Sequence, residues 1–439
     1  MGSAARSVIT PLRMASASPV PVSPLPFAAH APSSPVVAKA VEYPAGMTSR
    51  FDEIIDRHGT NSIKWDFAKE RGKPEGVLPM WVADMDFRSP QPVIDALAEA
   101  VQHGIFGYSD TRGDYFDAVA GWMHRRFDWQ IEPSWVVKTS GVVSAFTAAV
   151  RAYTKPGEAV LLQPPVYPPM HSAVKFNDRR LVYNELALRD GRYEIHFDDF
   201  ERKIVDEHVK VFILCNPHNP VGRAWSLEEL QRMGDICLEH GVIVVSDEIH
   251  QDLVLDPAKR HHVFASARPE FADITVTCTA PSKTFNIAGL YTSNVFIKHG
   301  PMRAVLVEEM QRAGMAGGNL LGYVACTAAY AEGEEWLEEL LPYLRDNVSY
   351  VRDFLAEHLP EVRLVEPEAT YLLWLDFRAL GLDDRALQAF LTDDANLWLN
   401  AGETFGPGGS GFARMNVGCP RSVVVQAMEQ LRSAIANRA

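Results

Sequence analysis

The chain has 439 residues, 47% hydrophobic and 22% charged, with a formal net charge of −14. Such a length supports a large core in two domains rather than one, and the acidic balance argues against a nucleic-acid surface, which draws on clustered Lys and Arg. No run approaches the roughly 18 apolar residues of a membrane helix. The five cysteines, Cys215, Cys237, Cys278, Cys326 and Cys419, lie far apart with no CxxC pair or zinc spacing, a pattern of reduced thiols that points to a cytoplasmic protein whose partners are small molecules or other proteins.

Residues 1–46 are rich in Ala, Ser, Pro and Val, carry no acid before Glu42 and show no periodic apolar face, so a disordered extension is expected there. Prolines break it too often for a secretory core, it resembles an organelle transit peptide only weakly, and Arg6 stands where a myristoylation motif needs Ser or Thr. Met47 opens MTSRFDEIIDRHGTNSIKWD and reads as an alternative start. Residues 47–88 form a segment expected to join a small domain. Over 89–325 short apolar strands alternate with amphipathic helices: WVVKTS, AVLLQPP, RLVYNEL, VKVFILCNP, VIVVSDE, ITVTCTA and SNVFIK, with SLEELQRMGDICLEHG the clearest helix. This alternation predicts an α/β fold with a mostly parallel central sheet covered on both faces. Over 326–439 the rhythm changes to the helix EEWLEELLPYLRDNVSYVRDFLAEHL followed by antiparallel strands in VRLVEPEATYLLWLDF and FARMNVG, a smaller α+β domain.

In open α/β sheets ligands bind beyond the carboxyl ends of the strands, and five predicted strands end in a chemically capable group. They run into Ser140-Gly141-Val142-Val143, Val166-Tyr167, His218-Asn219-Pro220-Val221-Gly222, Asp247 and Ser282-Lys283. Each has a plainer alternative. Gly141 relieves a tight turn or, with the helical VVSAFTAAVRAYT after it, opens a phosphate site; Asn219 forms a turn; Asp247 caps a helix; Tyr167 packs; Lys283 snorkels to the surface. Five together on one sheet edge outweigh those readings.

The order Tyr108, Ser140-Gly141, Tyr167, Asn219-Pro-Val-Gly222, Asp247, Ser282-Lys283 and Arg414 resembles the fold-type I pyridoxal-phosphate enzymes of the aminotransferase superfamily, aspartate aminotransferase-like in architecture. Within it, LPMWVADMDF, QPPVYPP, LCNPHNPVGRAW, VVSDEIHQDLV, CTAPSKTFNIAGL and GGSGFARMNVGCPR are similar to the MalY/PatB branch of cystathionine β-lyases, with the match running from about Thr48 to the C-terminus.

The resemblance implies pyridoxal 5'-phosphate as cofactor and Lys283 as the lysine bound to its aldehyde, a role helped by partial burial because desolvation favours the neutral amine. It further implies that Asp247 pairs with the pyridine nitrogen, Asn219 with the phenolic oxygen, and that Tyr167 stacks on the ring. Gly141 and Val142 would contact the phosphate through backbone N–H groups and Ser282 through its side chain. Tyr108 would reach the partner site of a homodimer, His250 would touch the cofactor, and Arg414 would grip the substrate carboxylate, with Ala83 and Tyr167 beside the substrate. Four positions depart from relatives: Tyr291 where many carry an arginine for the phosphate, His250 where many carry tyrosine, Pro168 where the branch has tyrosine, and Ala369 where it has glycine. The implied reaction is α,β-elimination, in which Lys283 takes the Cα proton of an S-substituted cysteine such as cystathionine, leaving homocysteine, pyruvate and ammonia. The alternatives are an aminotransferase, in which Lys283 reprotonates the cofactor instead, and a pyridoxal-phosphate-binding regulator acting through protein contacts.

Overall fold

The computed structural model describes residues 49–438 except Ala316; the disorder expected for residues 1–46 lies outside them. The seven predicted runs contain strands β1 Val136–Thr139, β2 Ala159–Leu162, β3 Arg180–Tyr183, β4 Val209–Cys215, β5 Ile243–Asp247, β6 Thr275–Thr279 and β7 Ser293–Phe296. They form one sheet in the order β1-β7-β6-β5-β4-β2-β3. Only β7 runs against its neighbours, β1 and β6; the other pairings are parallel. Along β4, alternate side chains enter two apolar layers. Phe212 and Leu214 pack with Leu230 and Met233 of helix Leu227–Glu239, whereas Val211 and Ile213 pack with Phe146 and Ala149 of helix Val142–Tyr153. A strand with a helix on each side has no polar face to spare, which is why these segments read as continuous apolar runs.

Helix Leu227–Glu239 begins at a capping box: Ser226 Oγ accepts the Glu229 N–H at 3.2 Å and a Glu229 carboxylate oxygen accepts the Ser226 N–H at 2.8 Å. After the long helix Glu334–His358 come β8 Arg363–Val365, β9 Leu372–Asp376, β10 Asn400–Ala401 and β11 Phe412–Asn416, an antiparallel sheet in the order β8-β9-β11-β10. Its Trp374 and Phe412 lie in the same apolar cluster as Phe212 and Val244 of the large sheet.

Two pairings were not expected. Ala187–Arg189 and Arg192–Glu194 form a hairpin whose turn, Asp190-Gly191, has φ of 49° and 79°. The Asp-Gly dipeptide was the available signal. The ladder between Leu78–Pro79 and Leu397–Trp398 is two residues long and joins distant segments, so no local pattern announces it.

Candidate active site

Sheet register sets Cys215, Asp247 and Cys278 side by side at the carboxyl ends of β4, β5 and β6. Beyond them opens a cavity of about 1100 Å³. Asn219, Asp247, His250 and Lys283 line it, as do Gly141, Val142, Tyr167, Ser282 and Ala83.

Lys283 rides on a single helical turn, Pro281–Thr284. That turn is anchored by buried Asp252, which accepts Thr284 Oγ1 at 2.7 Å and the Trp122 indole N–H at 3.1 Å. The half-buried Lys283 amine donates to the Ala83 carbonyl at 2.6 Å. Burial, opposed by Asp84 and reinforced by Arg414, pushes its pKa down to about 8. Asp247 is pushed up to about 7, chiefly by burial, while the Ile249 N–H at 3.2 Å acts to lower it. A buried carboxyl held by so few donors suits a cationic partner.

Asn219 Oδ1 accepts from Arg414 Nη1 at 3.0 Å, and Arg414 Nη2 donates to the Trp81 carbonyl at 2.9 Å. Arg414 reaches this point from β11, pairing with Trp374 of β9 and Asn400 of β10. Burial lowers its pKa to about 10, and its Nε, buried, has no partner. A desolvated guanidinium with an unused donor is suited to an anion. His250 is buried beside these groups with Nδ1 unpartnered; burial first, then Lys283 and Arg414, push it down to about 3, so the ring is neutral at ordinary pH.

The Gly141 N–H, expected at a phosphate, lies on the cavity and donates here to Ser293 Oγ at 3.1 Å, since antiparallel β7 sets Ser293 opposite Thr139. Gly141 also supplies a turn at φ 137°, where a side chain is disfavoured. The N–H of Val142, first in its helix, has no intrahelical acceptor and remains suited to an anion, with Ser282 on the same cavity.

Tyr108 lies outside the cavity and is fully exposed, near exposed Ile105 and Phe106. Pro168 starts helix Pro168–Lys175, the position where a missing N–H costs least. At Ala369 no glycine is required, since the positive φ, 72°, falls on Thr370. Tyr291, 64% exposed, sits on the cavity at φ 45°.

Sequence reasoning left unassigned several residues now seen at the site: Arg57, which bonds Asp84 at 2.8 Å and Asp86 at 2.7 Å; Tyr371, which donates to the Ala83 carbonyl at 3.1 Å; and Asn286, Ser293 and Asn416. Asn286 and Asn416 stood inside the quoted motifs, close to Lys283 and Arg414, but nothing in a lone asparagine tells which backbone it grips.

Residues 75–431 match the family described as Aminotransferase class I and II. Cystathionine beta-lyase PatB of Bacillus subtilis (strain 168) is 46% identical over 385 residues, 88% of this chain and 99% of the relative. Protein MalY of Escherichia coli (strain K12) is 34% identical over 389 residues, 88% of this chain and 98% of the relative. Among solved structures, cystalysin of Treponema denticola, which contains pyridoxal 5'-phosphate, superposes with a TM-score of 0.86 at 38% identity, covering 90% of this chain and all of the other. The pyridoxal-phosphate-bound C–S lyase of Staphylococcus hominis gives 0.82 at 34%, covering 88% and 99%.

Proposed function

Since the chain belongs to the class I and II aminotransferase family, we propose that it is a pyridoxal-phosphate-dependent carbon–sulfur β-lyase acting on L-cystathionine or related S-substituted cysteines. The observation that carries the reading is the convergence, on one cavity, of an amine lowered to about 8 and a buried carboxyl raised to about 7, with a guanidinium whose Nε is unpartnered bonded to Asn219 of that lining from outside it. Those groups fit the cofactor and an amino-acid substrate. The choice of elimination follows the names of PatB and of the Staphylococcus hominis lyase.

Pyridoxal 5'-phosphate, when bound, supplies an electrophilic carbon for the substrate amine and a ring that stores the Cα electron pair. Asp247 would hold its ring nitrogen, Asn219 its phenolic oxygen, Tyr167 its face, and Val142 and Ser282 its phosphate; His250 would pack against it as a neutral ring. Arg414 holds the substrate α-carboxylate through its free Nε. Lys283 takes the Cα proton at Nζ, a base available near neutral pH because burial has weakened its hold on a proton. The thiolate then departs from Cβ, and water hydrolyses the remaining three-carbon amino fragment to pyruvate and ammonia. Ala83 faces the substrate while its carbonyl orients Lys283 at 2.6 Å.

Residues 89–325 are read as the large cofactor domain and 326–439, joined by 47–88, as the small one. A homodimer belongs to the same proposal, with exposed Tyr108 completing the partner's site. A cytoplasmic location is supported by five buried free thiols; among the described residues no helix is long and apolar enough to cross a membrane. The test is incubation of the holoprotein with cystathionine and no keto acid. Equal release of pyruvate and homocysteine is expected; turnover only when 2-oxoglutarate is supplied replaces the lyase with an aminotransferase.

A further inference from the structure

The stretch Trp81–Phe87 has no regular secondary structure, so its carbonyls must find donors outside any ladder. Side chains supply them. Trp81 accepts from Arg414 at 2.9 Å, Ala83 from Lys283 at 2.6 Å and Tyr371 at 3.1 Å. Val82 and Asp84 both accept from Asn416 Nδ2, at 2.5 and 2.6 Å. Met85 and Phe87 both accept from Asn286 Nδ2 at 2.8 Å, and Asn286 Oδ1 takes the Met85 N–H at 2.9 Å. Asn286 follows Lys283 by three residues and Asn416 follows Arg414 by two.

The amine and the guanidinium therefore lean on carbonyls two residues apart in one loop, Ala83 and Trp81, and each has an asparagine from its own segment holding that loop. Lys283 and Arg414 come from different sheets and carry long, rotamer-rich side chains, so neither strand alone fixes the distance between them. We propose that Asn286 and Asn416 are positioning residues: by clasping Val82–Phe87 they set the spacing between the base that takes the Cα proton and the guanidinium that binds the carboxylate. The inference rests on the roles given to Lys283 and Arg414 above.

The two clasps have different kinetic signatures. The Asn286 clasp governs the Lys283 end and so the proton transfer; the Asn416 clasp governs the Arg414 end and so substrate binding. Asn286 has φ 57°, so glycine there removes the amide without straining the backbone. In the holoprotein, Asn286→Gly is expected to lower kcat roughly tenfold to a hundredfold with KM within about twofold, since misplacement near 1 Å has effects of that order. The midpoint of the rising limb of kcat against pH moves lower, because a carbonyl acceptor favours the ammonium form and is now less well placed. Asn416→Ala is expected to raise KM roughly tenfold with kcat within about twofold, and to weaken by a like factor the binding of L-alanine read from cofactor absorbance. Asn286→Asp and Asn416→Ser serve as second variants and must show the same split.

Equal changes in kcat and KM in both variants, or no change in folded protein, overturn the proposal. So does failure of every variant to fold, since the asparagines would then hold the fold rather than the site. The split is scored on whichever amino-acid reaction the wild type runs. Loss of wild-type pyruvate release therefore sinks the lyase reading alone, and an absent split sinks this inference alone.

Discussion

One wall of the cavity is the carboxyl edge of the large sheet, where Asn219, Asp247 and Lys283 follow β4, β5 and β6; the other is the irregular stretch Trp81–Phe87, which meets Lys283 and Arg414 with carbonyls. On the sheet wall the side chains are distinctive and themselves make the site. On the loop wall the side chains matter little to the contacts made with Lys283 and Arg414, and the path of the backbone is everything. Reactive groups are thus supplied by a scaffold locked between two apolar layers, while their final placement is left to a segment whose carbonyls find donors mainly in side chains.

If that division of labour is right, variants of the two walls should fail differently. The largest effect falls on the sheet wall. Lys283→Ala is expected to lower pyruvate release by more than roughly a thousandfold, the scale of losing a positioned base together with the cofactor's attachment; activity within tenfold of wild type would break the comparison outright. Next comes the group the two walls share. Arg414→Lys keeps the charge but loses the planar fork that meets Asn219, Trp81 and a carboxylate at once. KM should rise roughly tenfold to a hundredfold with a smaller change in kcat, read from initial rates across substrate concentration.

The smallest effect sharpens the electrostatics of the sheet wall. An acid whose pKa rises on folding, from 3.8 to about 7 for Asp247, binds its proton more tightly in the folded chain. Its contribution to stability is therefore most favourable below 3.8, falls as pH rises to about 7, and is constant above. Cofactor-free Asp247→Asn should accordingly gain on wild type through that window, by roughly 2–4 °C in Tm for a chain of this size, as followed by thermal melts at stepped pH. With pyridoxal phosphate bound the order should invert, because the ring nitrogen then offsets the carboxylate charge.

The sheet wall was legible in the sequence because an apolar run that stops at a polar residue identifies both a buried strand and what it delivers. Asp247 and Lys283 are found in that way, and so is Asn219. Less legible was anything that depends on a second, distant strand. The antiparallel sense of β7 leaves no mark in SNVFIK, yet it carries Ser293 to the Gly141 N–H across 152 residues. The loop wall was hardest to read. LPMWVADMDF stood out as a motif, but the groups in it that meet Lys283, Arg414 and the two asparagines are main-chain carbonyls and one N–H, which nearly every residue possesses. Likewise Arg223, 1% exposed, is held by Glu229 of a helix cap and Glu368 of the segment before β9, a three-way tie between segments that share no local pattern.

A wall made of carbonyls also sets what kind of genetic change the site can absorb. Val82 and Ala83 present only main-chain atoms to Asn416, Lys283 and Tyr371, so exchanging their side chains for others that fit leaves those partners in place. Adding or deleting one residue between Trp81 and Phe87 does not. Such a change shifts each later carbonyl by one place against fixed donors; made before Ala83, it offers Lys283 the acceptor that belonged to Asn416. Positions 82 and 83 are therefore permissive to substitution while the segment is intolerant of a change in length, the reverse of what is usual for a surface loop.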